Sequence, residues 1–356
     1  MKYAIFILLG VMIALFGCLD SGGTTVSDTN ATVNGGGGGD GNVVITSNKT
    51  EQSNTSGKQN ITTTENKTNA TLGSDFGKIR EYSANANDTL FIRAYNISIG
   101  GNQDLSRNEN NRLTIISKGD FDVAIIDVSA TKKDDAVYTV LGNVDDVEIA
   151  MFPLVTDENK ERIRSMVGAM KPGYVVLPDR PIALDLADIR SDNGPSVIFV
   201  KDKEEFTHAG IRFQFLNPPL GTSEDRLFDN ANNDAIAFMM KDRNFSAVFT
   251  NDIRGGGVIK ISTKYQDGLK ADFVTTPNYG ADVEGDALSL FASKSKPSMA
   301  LVEGYKRGAS TMTTDPYETA RTAFGAYRTN VTALWNCKYY MLSYNGVSYE
   351  GKCVTK

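Results

Sequence analysis

Imidazole is almost absent from this chain: His208 is the only histidine in 356 residues. A zinc site built on several imidazoles is excluded, and a Ser-His-Asp or Cys-His set would have to rest on His208 alone. His208 stands in EEFTHAGIRF, between strand-like runs, where it reads as a surface or turn histidine. Cysteine is nearly as scarce, with only Cys18, Cys337 and Cys353. An excess of basic charge is lacking too: 37 Lys and Arg stand against 43 Asp and Glu, for a net charge of −6. That balance argues against tight, nonspecific nucleic-acid binding by the whole surface, though it leaves room for a local basic patch.

The longest apolar run is at the start. Met1 and Lys2 precede YAIFILLGVMIALFG, and Gly17 is followed by Cys18. One positive charge, a core of about fifteen apolar residues and a small residue make a secretory signal over 1–17, short for a spanning helix. Leu15-Phe16-Gly17-Cys18 resembles a lipobox, in which Cys18 becomes the lipid-bearing first residue of the mature chain, although Phe16 is bulkier than usual there. An uncleaved N-terminal anchor is the alternative. Either reading places the chain on the extracellular face of a cell membrane, its first partner.

Residues 18–77 are rich in Ser, Thr, Asn and Gly, with GGGGGDG at 35–41. So few apolar side chains cannot offset the entropy of ordering the chain, which predicts a disordered, lipid-anchored stalk. Asn-X-Ser/Thr sequons crowd it at Asn30, Asn48, Asn54, Asn60, Asn66 and Asn69, and recur at Asn87, Asn96, Asn244 and Asn330. With the lipobox, these glycan acceptors suggest an archaeal surface lipoprotein.

In an exported chain the remaining pair, Cys337 and Cys353, reads as a disulfide. Between them KYYMLSYNGVSYEGK alternates aromatic and polar residues around Asn345-Gly346, a hairpin signal. A two-residue turn would set Lys338 opposite Cys353. A three-residue loop, Tyr344-Asn345-Gly346, would set Cys337 opposite Cys353 and is preferred because it joins the sulfurs. Tyr339, Tyr340, Tyr344 and Tyr349 would then be cross-strand pairs on an exposed hairpin, or a stacking surface for bases or sugars.

Residues 78–356 suffice for one large domain closed by that hairpin. Apolar strand-like runs recur from TLFIRAY (89–95) to SMALVE (298–303), with helical periodicity at 133–141, 158–170, 285–293 and 315–327. Asp315, Pro316 and Glu318 supply an N-cap, an N1 proline and a capping-box acid. No internal repeat is visible. The order suggests stacked sheets covered by helices and leaves other α/β layouts open.

Read segment by segment, this order looks like the metallo-β-lactamase fold, and in particular like the hydrolase domain of ComEC-type competence proteins. VAIIDVSA (123–130) matches a strand ending in Asp, here Asp127. VEIAMFPLVTDENKERI (147–163) falls where the family has Thr-His-Pro-His-Ala-Asp-His, NNDAIAFMMKDRNFSAVFTNDI (232–253) where paired strands end in Gly-Asp, and LKADFVTTPNYGAD (269–282) where it has His-His-Gly-Ser. KPSMALVEG (296–304) matches the following strand. The resemblance implies an α/β fold, an αββα sandwich, over nearly all of the globular part.

It also implies a metal centre whose ligands are missing. Phe152 and Leu154 stand for histidines, Thr156 for the aspartate and Asp157 for the last histidine; Asp252 is kept, and Asn278 and Tyr279 replace the paired histidines. Phe152 and Leu154 have no donor atom, so no cofactor and no catalytic residue is expected. A catalytically inactive binding or scaffolding module follows, with an envelope protein, a glycan or nucleic acid as partner. The alternative is a divergent phosphodiesterase using Asp127, Asp157 and Asp252 with Mn²⁺ or Mg²⁺. Arg254-Gly255-Gly256-Gly257 lacks a P-loop lysine pattern and reads as a glycine-rich turn more than a phosphate cradle.

Overall fold

The computed structural model describes residues 87–95, 97, 112–128, 135–142, 146–190, 194–219, 231–280, 285–303 and 315–355. The signal, Cys18, the stalk with its six sequons and Asn96 lie outside the described residues.

Two sheets carry the fold. The first has eight strands in the order β15-β14-β1-β2-β3-β4-β5-β6. They are β1 (Leu90–Tyr95), β2 (Arg112–Lys118), β3 (Phe121–Asp127), β4 (Ile149–Met151), β5 (Tyr174–Pro178), β6 (Ser196–Val200), β14 (Tyr339–Tyr344) and β15 (Tyr349–Val354). The second runs β13-β12-β11-β10-β9-β8-β7, from β7 (Glu205–His208), β8 (Ile211–Asn217), β9 (Ala237–Asp242) and β10 (Phe245–Phe249) to β11 (Phe273–Thr275), β12 (Met299–Val302) and β13 (Asn330–Ala333). β1–β3 pair antiparallel and β3–β6 parallel; β7–β10 pair antiparallel and β10–β13 parallel. The two halves thus repeat one topology that the residues themselves do not repeat.

Side-chain alternation assigns the layers. In β3, Phe121, Val123 and Ile125 enter a core shared by both sheets, while Ala124 and Ile126 face outward. The outward face of the first sheet packs on α1 (Asp135–Leu141), α2 (Lys160–Met170) and α3 (Pro181–Leu184). The second sheet packs on α4 (Gly255–Tyr265), α5 (Gly285–Ser295) and α6 (Pro316–Gly325). Strands apolar on both faces belong between such layers. At α6 the Asp315 side chain accepts from the Tyr317 amide at 2.9 Å, whereas Glu318 turns to Arg321.

Deep between the sheets, Lys118 Nζ meets Asp242 Oδ1 at 2.9 Å, with 3% and 0% of their side chains exposed. Arg243 adds a second cation to Asp242 at 2.9 Å.

Three sequence readings are corrected here. His208 is no surface or turn residue: it ends β7, is 6% exposed, and lies 4.4 Å from the Phe121 ring. Its strand returns through Ala209-Gly210, both at positive φ, a turn whose alanine gives no sequence signal. Arg254–Gly257 is not a glycine-rich turn: Arg254 stands at the N-cap position of α4, and the three glycines begin the helix. The C-terminal hairpin pairs Tyr340 with Cys353 and Tyr344 with Tyr349, leaving a four-residue loop, 345–348. Asn345 Oδ1 accepts from the amides of Val347 and Ser348, which stabilises that longer loop. Cys337 and Cys353 are therefore not directly opposite, yet they are joined with Cα atoms 5.2 Å apart, because Cys337 approaches from the short turn before β14. Tyr340 and Tyr344 point into the inter-sheet core, so the four tyrosines form no exposed surface.

Candidate functional site

Parallel strands collect chain turns at their carboxyl ends, and there the polar side chains gather. Asp127 ends β3, Asp252 follows β10, and Glu303 follows β12. Arg112 opens β2 and is the ladder partner of Asp127. Its Nη1 lies 3.3 Å from Asp127 Oδ2. From the next inward-facing position of β2, Thr114 Oγ1 donates to Glu303 Oε1 at 3.2 Å, crossing from one sheet to the other.

Asp252 is held by local geometry. Asn251 takes a left-handed turn at φ 46° and donates to the Ile236 carbonyl at 2.8 Å. Asn232 then donates from Nδ2 to Asp252 Oδ2. Thr250 and Thr275 tie the ends of β10 and β11 together through a 2.8 Å bond from Thr250 Oγ1 to the Thr275 carbonyl.

Burial dominates the electrostatics. It pushes the Asp252 carboxyl up to about 8; the neighbouring Asp127 pushes the same way, against Arg112 and Arg254. Glu303 is pushed up to about 7, again chiefly by burial, with Arg112 and the Thr114 hydroxyl opposing. In the structure both acids accept hydrogen bonds, Glu303 from Thr114 and Asp252 from Asn232. Two buried polar atoms, Arg254 Nε and Thr276 Oγ1, have no hydrogen-bond partner among the described residues.

The motif loop after β4 is placed differently from the sequence expectation. Phe152 is fully buried, but under the helices of the first sheet rather than in the cleft, because it continues the outward alternation of Ala150. Leu154 packs at the edge of the helix-facing cluster of the second sheet. Neither fills the site with apolar packing. Asp157 is 78% exposed and pairs with Lys160, which also reaches Asp185. It takes no part with Asp127 and Asp252, so the expected three-aspartate set is corrected. Asn278 is buried at φ 44° in the turn Pro277–Gly280; the side chain of Tyr279 in that turn lies outside the described residues.

Arg112, Glu303 and Asn159 are the site residues the sequence reading missed. Asn159 is buried and donates to the carbonyls of Val128 and Leu154, both at 3.1 Å, while accepting from the Thr156 amide at 2.8 Å. It fixes the 152–157 loop to the end of β3 by hydrogen bonds. The only hint was a polar residue at the start of a helix, which ordinarily signals a cap. Glu303 was visible as an acid ending an apolar run.

The donor set does not fit a di-metal centre. Among the described residues no group of three or more His, Cys, Asp or Glu side chains is placed to hold a metal ion. Asp127 already faces a guanidinium, and Phe152 and Leu154 bring no donor atom to the motif loop.

No protein-family model and no curated protein sequence matches the chain. Solved structures similar to it include YhfI, a metallo-β-lactamase fold protein of Bacillus subtilis, 11% identical over 68% of this chain and 95% of its own, at TM-score 0.45. Igni18, a metallo hydrolase of the archaeon Ignicoccus hospitalis, is 10% identical over 71% of this chain and 98% of its own, at 0.47. Unliganded yeast PDE1 is 9% identical over 68% and 97%, at 0.45. Likenesses so distant bring none of those proteins' metals or activities to this chain. On its own strand order and helix layers the domain is an αββα sandwich of the metallo-β-lactamase type.

Proposed function

We propose that this chain is a lipid-anchored protein of the archaeal cell surface whose sandwich domain is a non-hydrolytic binding module. The reading is carried by one observation: the loop that should supply metal ligands puts Phe152 and Leu154 into helix-facing packing and Asp157 into solvent. Hydrolysis in this fold class depends on metal-activated water, and the groups gathered here include two guanidiniums, Arg112 and Arg254, which do not lower the pKa of a water. They suit recognition, offering donors and acceptors together. A partner in the envelope, whether protein, glycan or nucleic acid, would meet the carboxyl ends of the strands, where these polar groups gather. Kinship with ComEC-type domains belongs to this proposal and rests on segment order.

Anchoring at Cys18 and glycosylation belong to it as well. Asn87, Asn244 and Asn330 are exposed, which supports them as acceptors. Cys18→Ser should move the chain from the membrane fraction to the soluble or secreted fraction.

A second reading, a divergent metal-dependent phosphodiesterase, is favoured by the proximity of Asp127 to Asp252. Assay of the purified chain on bis-p-nitrophenyl phosphate with Mn²⁺, Mg²⁺ or Zn²⁺ separates the two. The binding module gives no turnover above metal and buffer alone; turnover lost in Asp252→Ala would establish the enzyme.

A further inference from the structure

We propose that Arg112 is the built-in counter-cation of this site, a guanidinium that balances its converging carboxylates and thereby closes it to divalent metal ions. The inference deepens the non-hydrolytic reading above and rests on it.

Arg112 is placed by the fold rather than by chance of a surface rotamer. It is the first residue of β2, opposite Asp127 in the ladder, and its inward side holds the guanidinium 3.3 Å from the carboxylate. Only 13% of its side chain and 15% of that of Asp127 are exposed, so water screens the pair weakly. The same β2 face carries Thr114 to Glu303. Arg112 also counters the cost of ionising both Asp252 and Glu303, whereas Asp127 adds to it. Arg112 thus meets the carboxylate that ends β3 directly, on the same face of β2 from which Thr114 reaches Glu303 after β12. The other cation facing Asp252 is Arg254.

Charge decides the consequence. Among the described residues, the Arg112 guanidinium is the cation held against the Asp127 carboxylate, and Arg254 is a second cation acting on Asp252. A divalent ion entering there meets fixed positive charge. Removing Arg112 should convert the cluster from a self-neutralised network into an acidic site that gains stability from a cation.

The test uses the full chain in detergent, followed by thermal unfolding and by metal analysis after gel filtration. The unsubstituted chain should keep no Mn²⁺, and millimolar MnCl₂ should leave its Tm unchanged. Arg112→Gln should lose roughly 5–10 °C in Tm. MnCl₂ should restore more than half of that loss, with about one equivalent of Mn²⁺ retained. Arg112→Lys, which keeps the charge, should remain indifferent to Mn²⁺. If Arg112→Gln does not fold, combining it with Asp252→Asn and Glu303→Gln should restore folding; failure to do so overturns the proposal. An Arg112→Gln chain as stable as the parent, or one that ignores Mn²⁺, also overturns it while leaving the non-hydrolytic reading intact. Stoichiometric Mn²⁺ with turnover in the unsubstituted chain would overturn both.

Discussion

Thr114 Oγ1 and Glu303 Oε1 meet at 3.2 Å across 189 positions of sequence, joining the two sheets at the site. The acid that receives this bond is buried and pushed up to about 7 from 4.5, and burial likewise pushes Asp252 to about 8 from 3.8. Unfolding returns both to ordinary carboxylate behaviour. Between the ordinary and raised values the folded chain binds protons that the unfolded chain has released. The contribution of these two acids to stability should therefore fall as pH rises from about 4 through about 8. Asp252→Asn and Glu303→Gln, which keep hydrogen-bonding shape, should each flatten that fall. Urea midpoints near pH 5 and near pH 8.5 check it; an unchanged slope in both variants would refute the assignment.

His208 gives the opposite slope in a lower window. Burial against Phe121 lowers it to about 4 from 6.5. There the unfolded chain binds the extra proton, so stability is lost as pH falls from about 6.5 towards 4. His208→Phe keeps an aromatic ring beside Phe121 and should remove this acid-side loss. Thermal unfolding across that range is the measurement.

Lys118 and Asp242 sit in the inter-sheet core, where neither can be left alone cheaply. Lys118→Met should cost about 3–5 kcal/mol, a typical loss when one partner of a buried ion pair is removed. Because Arg243 also reaches Asp242, the loss should fall at the lower end of that range. Lys118→Met combined with Asp242→Leu should recover much of it. Chemical denaturation of the two variants decides the matter.

Cys337 and Cys353 close a loop of sequence separation 16. Restricting the unfolded chain over so short a loop contributes about 3 kcal/mol. Reduction, or Cys337→Ser with Cys353→Ser, should lower Tm by roughly 5–10 °C. Fraying should begin at β15, the edge strand with mostly exposed or half-exposed residues.

Much of the fold was legible because its strands are apolar runs between turns: the segments later forming β1 to β6 and β8 to β12 were all marked by Val, Ile, Leu and Phe. β7 and β13 were not, since EFTH and NVTA are short and polar. α4 was hidden by the glycines of its first turn, which disfavour a helix until Asn233 accepts the Gly257 amide and packing against the second sheet compensates. At the site, Asp127 and Asp252 were recognisable as strand-end acids. Leu154 and Phe152 were recognisable as non-ligands, but their direction depended on a strand alternation that only the folded sheet fixes. Arg112, Asn159 and Glu303 act through partners 15, 31 and 189 residues away, which no local pattern encodes.

The proposal that the sandwich domain is a non-hydrolytic module makes one central claim: the cluster around Asp127 and Asp252 is held by hydrogen bonds and a guanidinium and takes no metal. Metal content of the purified full chain, measured after incubation with Mn²⁺ and Zn²⁺ and removal of the excess, tests it most directly. The account predicts far less than one equivalent of either ion per chain. One or two equivalents, lost on Asp127→Ala or Asp252→Ala, would contradict it.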